Sequence, residues 1–211
     1  MHIYAFGSIS RGDVSQDSDI DLLAIVKGYD ARFNPEDFSI YSYKRIEEIW
    51  DEGNPFAWHL SLQSKPIFLS DEIDFLKNLG KPKPYMHCLR DCEKFLNLFC
   101  DARSSMLDNS VSLVFDLSTI FLSIRNIATC FSLGTSNRPD FSRSSALRLE
   151  AKSLQLPKDV YRIFEKARIL STRGRGEDLT SGEVETALKS LSSIHEWMTK
   201  LVTEARNERI C

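Results

Sequence analysis

The sequence predicts an α+β protein, a small sheet-and-helix domain followed by an α-helical bundle, and three observations lead there. Short apolar runs bounded by turn residues fill the first third of the chain. Gly80-Lys81-Pro82-Lys83-Pro84 then interrupts any regular element, because two prolines and a glycine cannot continue a helix or a central strand. Beyond it, apolar residues recur at helical spacing as far as the last turn signals. The domains expected from this division are residues 1–80 and 85–211.

In chain order, His2–Phe6 is an apolar run closed by Gly7-Ser8 and reads as a buried strand. Asp19–Val26 reads as a second strand and Phe38–Tyr43, aromatic and β-branched with serines alternating, as a third. Lys44–Glu52 suits a helix ended by Gly53, Pro55–Gln63 a helix with proline in its first turn, and Lys65–Leu69 a last short strand. In the second half, Leu89, Cys92, Leu96 and Phe99 mark one helix, and Leu113, Leu117, Ile120, Ile124 and Phe131 a more buried one. Asn137-Arg138-Pro139-Asp140 is a break, after which a serine-rich helix is expected, then a helix opened by Pro157 and running to about Leu170. Ser171–Asp178 reads as a glycine- and arginine-rich loop. The last helix opens with a capping box, Thr180 with Glu183, and carries Val184, Leu188, Leu191, Met198 and Leu201 on one stripe.

Composition narrows the function classes. The formal net charge is −3, which argues against stable nucleic-acid binding, since phosphate neutralisation supplies most of that affinity. The five cysteines form no metal or disulfide pattern and read as reduced thiols, so a cytoplasmic location is expected. No signal peptide is expected at Met1–Ser8, and the longest uncharged apolar run, Leu117–Ile124, is too short to span a bilayer. A homodimer is within what the sequence allows.

The chemistry concentrates in Phe6-Gly7-Ser8-Ile9-Ser10-Arg11-Gly12-Asp13 and Ser18-Asp19-Ile20-Asp21-Leu22-Leu23. Glycine lets a ligand approach the backbone, and turn amides with a serine hydroxyl suit phosphate oxygens. Asp19 and Asp21 stand two residues apart on a strand, so both carboxylates share a face. Two such charges about 4 Å apart repel by about 4 kcal/mol at an effective dielectric near 20, which a cation between them relieves. Hard oxygen ligands without histidine or cysteine suit Mg²⁺ beside substrate phosphates. The competing structural reading is a turn followed by a hydrated acidic pair.

Gly7-Ser8, ten residues, then Asp19-Ile20-Asp21 is similar to the G-S-x10-D-x-D signature of the DNA polymerase β-like nucleotidyltransferase superfamily. The chain resembles most closely its minimal and antibiotic-modifying members over roughly residues 1–75. The resemblance implies a small mixed sheet, Gly7 and Ser8 at the β- and γ-phosphates, Arg11 assisting with phosphate charge, and Asp19 and Asp21 as catalytic metal ligands for Mg²⁺. It implies transfer of a nucleoside monophosphate from an NTP, ATP by family habit, to a hydroxyl of a small molecule or protein. Many members carry a third acid on the next strand. Here the matching positions are Ser39, Tyr41 and Tyr43, and Asp37 is the nearest catalytic candidate, with a loop or capping role equally open. A weak or inactive nucleotide-binding module, of toxin–antitoxin type, is the alternative this gap supports.

Weaker patterns complete the reading. Arg125-Asn126-Ile127-Ala128-Thr129-Cys130 resembles the Arg-Asn-x-x-x-His motif of HEPN helical domains, with Cys130 where the histidine stands, so a structural Arg125 paired with Asp116 or facing an interdomain cleft is the leading expectation. Cys88 and Cys92 read as core rather than zinc ligands, and Phe56, Trp58, His59 and Leu60 as packing under the sheet.

Overall fold

The computed structural model describes residues 1–12, 20–108, 112–136, 139–174 and 176–207, with Arg11 described by its backbone alone. The chain divides into two compact units, Met1–Tyr85 and Met86–Cys211.

The first unit is built on a four-stranded mixed sheet in the order β3-β2-β1-β4. Strand β1 (His2–Phe6) lies antiparallel to β2 (Asp21–Val26) and to β4 (Lys65–Leu69), while β2 runs parallel to β3 (Phe38–Ser42). A one-turn helix α1 (Ser8–Arg11) follows β1, and α2 (Tyr43–Asp51), α3 (Pro55–Gln63) and the short α4 (Phe75–Asn78) supply the helical layer. Residue parity does the rest. Tyr4, Phe6, Leu23 and Ile25 leave one face of the sheet and close a core with Ile46, Ile49, Trp50, Leu60 and Leu76. Ala24 and Val26 leave the other face and meet Phe33, with Met1, Ile3 and Phe38 at the margin. That second face is only partly covered, for Ile40 and Phe68 remain exposed.

Two boundaries differ from expectation. Among the described residues β2 begins at Asp21 rather than Asp19, which lies outside them. Tyr43 opens α2 instead of ending β3, because the Ser42 side chain accepts a hydrogen bond from the Arg45 amide at 3.1 Å and so caps the helix one residue early. Gly53 ends that region with φ 63°, and a Cβ there would stand 2.4 Å from the Pro84 carbonyl oxygen. The Gly80–Pro84 segment is therefore packed on the unit. The Trp50 and Trp58 indoles donate to the carbonyls of Gly80 and Lys83, each at 3.0 Å.

The second unit is a helical bundle of α5 (Cys88–Leu107), α6 (Leu113–Thr135), α7 (Lys158–Arg173) and α8 (Ser181–Asn207). Helix α6 is its centre. At 23 residues, with an 18-residue stretch of mean hydropathy 1.4, it is long and apolar enough by composition alone to cross a membrane, although Asp116 and Arg125 bound its uncharged run Leu117–Ile124; 61% of that stretch is buried within the fold. It packs on α5, α7 and α8, which suits the core helix of a bundle.

The serine-rich helix expected after Pro139 does not form. Its place is taken by two 3-10 turns, Ser145–Arg148 and Glu150–Lys152. The serines explain this by bonding the backbone themselves: Ser145 Oγ donates to the Arg125 carbonyl at 3.2 Å and Ser153 Oγ to the Glu150 carbonyl at 2.9 Å. The expected break at Asn137-Arg138 lies outside the described residues. The loop expected from Ser171 begins later, since α7 continues through Arg173 to a left-handed Gly174; Arg175 lies outside the described residues. The capping box of α8 is present in both directions, with the Thr180 amide donating to Glu183 at 2.7 Å and the Glu183 amide to Thr180 Oγ1 at 3.2 Å.

Candidate active site

The sequence ends β1 at Phe6 because Gly7 follows with φ 76° and ψ −142°, a backbone conformation that side chains with a Cβ disfavour. The turn leads directly into α1, whose first residue is Ser8, and Gly12 closes that helix in the left-handed region with its amide on the Ile9 carbonyl at 3.2 Å. Ser10 Oγ donates to the Ala5 carbonyl at 3.2 Å and ties α1 back to the strand. The antiparallel register sets Phe6 opposite Asp21, so the turn and the first residue of β2 meet at one end of the sheet.

Their approach is close. A Cβ built on Gly7 would lie 2.0 Å from Oδ2 of Asp21 and 3.0 Å from its carboxyl carbon. The Asp21 carboxylate thus rests against the Gly7 backbone in the space a side chain would fill. Asp21 is exposed, whereas Leu23 and Ile25, next on the same face, have no accessible surface. The strand therefore turns from solvent to core within two residues.

Of the other residues singled out in the sequence, Ser8 is half-buried at the head of α1. Arg11 ends α1, with its side chain outside the described residues, as is the whole of Asp19. Asp37 is exposed in the turn before β3. Its amide donates to the Asn34 carbonyl at 3.0 Å, and its carboxylate accepts from Asn34 Nδ2 at 3.3 Å. The parallel register pairs Leu22 with Phe38, the residues that follow Asp21 and Asp37. That relation was hidden in the sequence, where the pairing of β2 with β3 could not be read. No group of three or more His, Cys, Asp or Glu side chains stands ready to hold a metal among the described residues.

Residues 2–84 match the nucleotidyltransferase domain family. The match spans the sheet, the Gly7–Ser8 turn and Asp21, and agrees with the polymerase β-like signature. The nucleotidyltransferase domain supports transfer of nucleoside monophosphates in general terms. No curated protein matches the chain.

The other sequence candidates fall into structural places. His59 is buried on α3 with its ring edge-on to Phe6, the centroids 5.6 Å apart. Cys88 and Cys92 are buried and point their thiols at the carbonyls of Cys130 and Ile127, at 3.5 and 3.9 Å. The hydrogen bond with the neighbouring Cys88, and then burial, push the Cys92 thiol well up, so it stays protonated. The pairing expected between Arg125 and Asp116 does not occur. Asp116, buried in the first turn of α6, accepts from Ser105 Oγ at 3.0 Å, and Arg125 donates to the Phe141 carbonyl at 3.3 Å. The two stand more than two turns apart on one helix, too far for a side-chain pair.

Proposed function

We propose that the protein is a Mg²⁺-dependent nucleotidyltransferase that moves a nucleoside monophosphate, AMP by family habit, from an NTP to a hydroxyl acceptor. The observation that carries this is the Asp21 carboxylate lying against the Cβ-less backbone of Gly7. A triphosphate entering that turn meets a bare backbone, the Ser8 hydroxyl and a hard carboxylate together. In this reading Gly7 and Ser8 hold the β- and γ-phosphates and Arg11 adds positive charge. Asp19 and Asp21 are the Mg²⁺ ligands; oxygen donors without nitrogen or sulfur fit that ion, which keeps several places for water and phosphate. When bound, the ion neutralises triphosphate charge and stabilises the charge that develops during transfer.

The chain's own groups complete the reaction. The acceptor oxygen attacks the α-phosphorus in line; the new P–O bond forms as the bond to the β-phosphate bridge breaks, and pyrophosphate leaves. The acceptor proton goes to Asp37, because β3 offers only Ser39 and Tyr41 on the relevant face, while Asp37 immediately precedes Phe38, the β3 partner of Leu22 next to Asp21. The helical unit, HEPN-like by its sequence, is assigned to the acceptor, either a small hydroxylated molecule or a protein tyrosine.

The test is incubation of the protein with ATP or GTP labelled in the α-phosphate, Mg²⁺ and cell extract. Label should pass to an acceptor with the wild-type chain and not with Asp21→Asn; a labelled protein band or a labelled small-molecule fraction tells the acceptor class. Nucleotide binding without transfer in both chains would overturn the enzyme reading in favour of a non-catalytic nucleotide-binding module.

A further inference from the structure

In the helical unit, the two 3-10 turns and the last turns of α6 form the wall of a cavity of about 550 Å³, lined by Ser132, Thr135, Asp140, Leu149 and Glu150 among others. That volume falls within the roughly 300–1,000 Å³ of small-molecule sites. The wall is fastened from several sides. The Leu154 amide donates to the Ala146 carbonyl at 2.8 Å and closes the two turns on each other. The Trp197 indole donates to the Lys152 carbonyl at 2.8 Å and pins the second turn to α8. The Asp140 amide donates to Ser132 Oγ at 3.1 Å, and the Thr129 hydroxyl to the Asp140 carbonyl at 3.1 Å, so the chain entering the turns is held against α6.

Both cations on the lining have acids of their own. Arg148 donates from Nε to one Asp140 oxygen at 2.9 Å, and its Nη2 stands 3.4 Å from the other and bonds Ser142 Oγ. Lys152 pairs with Glu204 and lies 5.0 Å from the centroid of the Phe131 ring. The hydroxyl protons are spent as well. Ser132 Oγ donates to the Thr129 carbonyl at 3.0 Å and Thr135 Oγ1 to the Phe131 carbonyl at 2.8 Å, which leaves lone pairs to face a ligand. Asp140 is taken by Arg148 and by the Ser142 amide at 2.8 Å. Glu150 differs: among the described residues its carboxylate has neither a hydrogen-bond nor an ion-pair partner. Its backbone differs too, with φ 53°, a region that residues with a Cβ enter only when their surroundings over-determine it. The surroundings do so here, for the Ser153 amide and hydroxyl both donate to the Glu150 carbonyl, at 3.2 and 2.9 Å.

We propose that this cavity binds a small aliphatic amine in its protonated form, the ammonium on the Glu150 carboxylate and its hydrocarbon against Leu149. An ammonium brings three donors and no acceptor, which complements a wall that offers a carboxylate and hydroxyl lone pairs. An anion would have to displace Asp140 from Arg148 or Glu204 from Lys152. The site lies wholly in the helical unit and does not depend on the nucleotidyltransferase reading.

The test is titration of the full chain with hexylamine, followed by amide NMR, beside hexanoate and hexanol as probes of the same length. Saturable shifts are expected with hexylamine in residues 131–136 and 148–152. Glu150→Gln should weaken hexylamine binding about tenfold, the loss of one charge-assisted contact. Glu150→Gly should weaken it as much while melting no lower than wild type, because glycine adopts a positive φ without strain. Hexanoate or hexanol binding as tightly as hexylamine, an unchanged hexylamine affinity in Glu150→Gln, or shifts absent from these two segments would each overturn the proposal.

Discussion

Asp21 and Asp116 both stand at the start of an apolar element, and the two units treat them in opposite ways. Asp116 opens α6 in the helical unit, is 5% exposed, and is answered by the Ser105 hydroxyl at 3.0 Å. Asp21 opens β2 in the first unit, which matches the nucleotidyltransferase domain family, is exposed, and leans over a glycine that must lack a side chain. The helical unit settles its buried polar groups locally: Thr129 Oγ1 donates to the Asp140 carbonyl at 3.1 Å and Ser123 Oγ to the Thr119 carbonyl at 2.9 Å. The contrast teaches that similar sequence positions, an acid at the head of an apolar run, are placed in opposite environments by the packing around them, one buried on a hydroxyl and one exposed against a bare backbone.

The largest expected effect breaks this contrast at Asp21. Asp21→Asn should lower nucleotide transfer by about 10³-fold or more with little change in melting temperature, as expected when a group that stabilises developing charge is removed. Asp116→Asn should keep transfer and lose about 1–3 kcal/mol of stability in urea unfolding. Next comes the helical core, where Phe164→Ala should cost about 3–5 kcal/mol, since Phe164 has no accessible surface. Ile40→Ala, on the partly covered face of the sheet, should fall within about 0.5 kcal/mol of wild type.

Gly7→Ala should cost about 1–3 kcal/mol from backbone strain and should also displace the Asp21 carboxylate, so transfer and stability fall together. Gly12→Ala shares a positive φ of 78° but meets nothing within 4 Å, and should lose stability while keeping more of the transfer rate. Thr180→Ala removes one half of the α8 capping box and should cost about 1 kcal/mol, with transfer unchanged.

The smallest effect is electrostatic. His2, 3% exposed on β1, places Nδ1 2.7 Å from the Tyr43 hydroxyl and Nε2 2.9 Å from Asp71. The His2 contact holds the Asp71 carboxyl below its ordinary range, and the Ile73 amide adds to this. A carboxyl depressed on folding stabilises above its unfolded pKa of about 3.9 and loses that contribution as pH falls through the folded value. The stability gap between wild type and Asp71→Asn should therefore be open at about pH 5 and close progressively below about pH 4. A gap independent of pH would assign Asp71 a packing role only.

Much of the fold was legible because local rules and tertiary packing agree. His2–Phe6, Pro55–Gln63 and Lys65–Leu69 appear with the bounds read from the sequence, each set by a glycine, proline or serine at its edge. The serine-rich helix failed for a reason no local rule reports. The segment after Pro139 carries helix-compatible residues, but its serines find backbone partners on α6 and on themselves, and no periodicity reports that competition. Helix α6, read from the spacing of Leu113, Leu117, Ile120, Ile124 and Phe131, forms as the buried core helix, and the fold accommodates its charges by burying Asp116 on a hydroxyl and leading Arg125 to a carbonyl.

The sequence by itself determined the Gly7-Ser8 turn, the acid at Asp21, the two-part organisation of its patterns and the capping of the last helix, because each rests on residues near one another along the chain. Only the tertiary structure decided that Asp21 lies against Gly7 and that Leu22, next to Asp21, pairs with Phe38, next to Asp37. Those relations depend on strand pairing between segments far apart in sequence, where register is set by burial of whole faces rather than by any local motif.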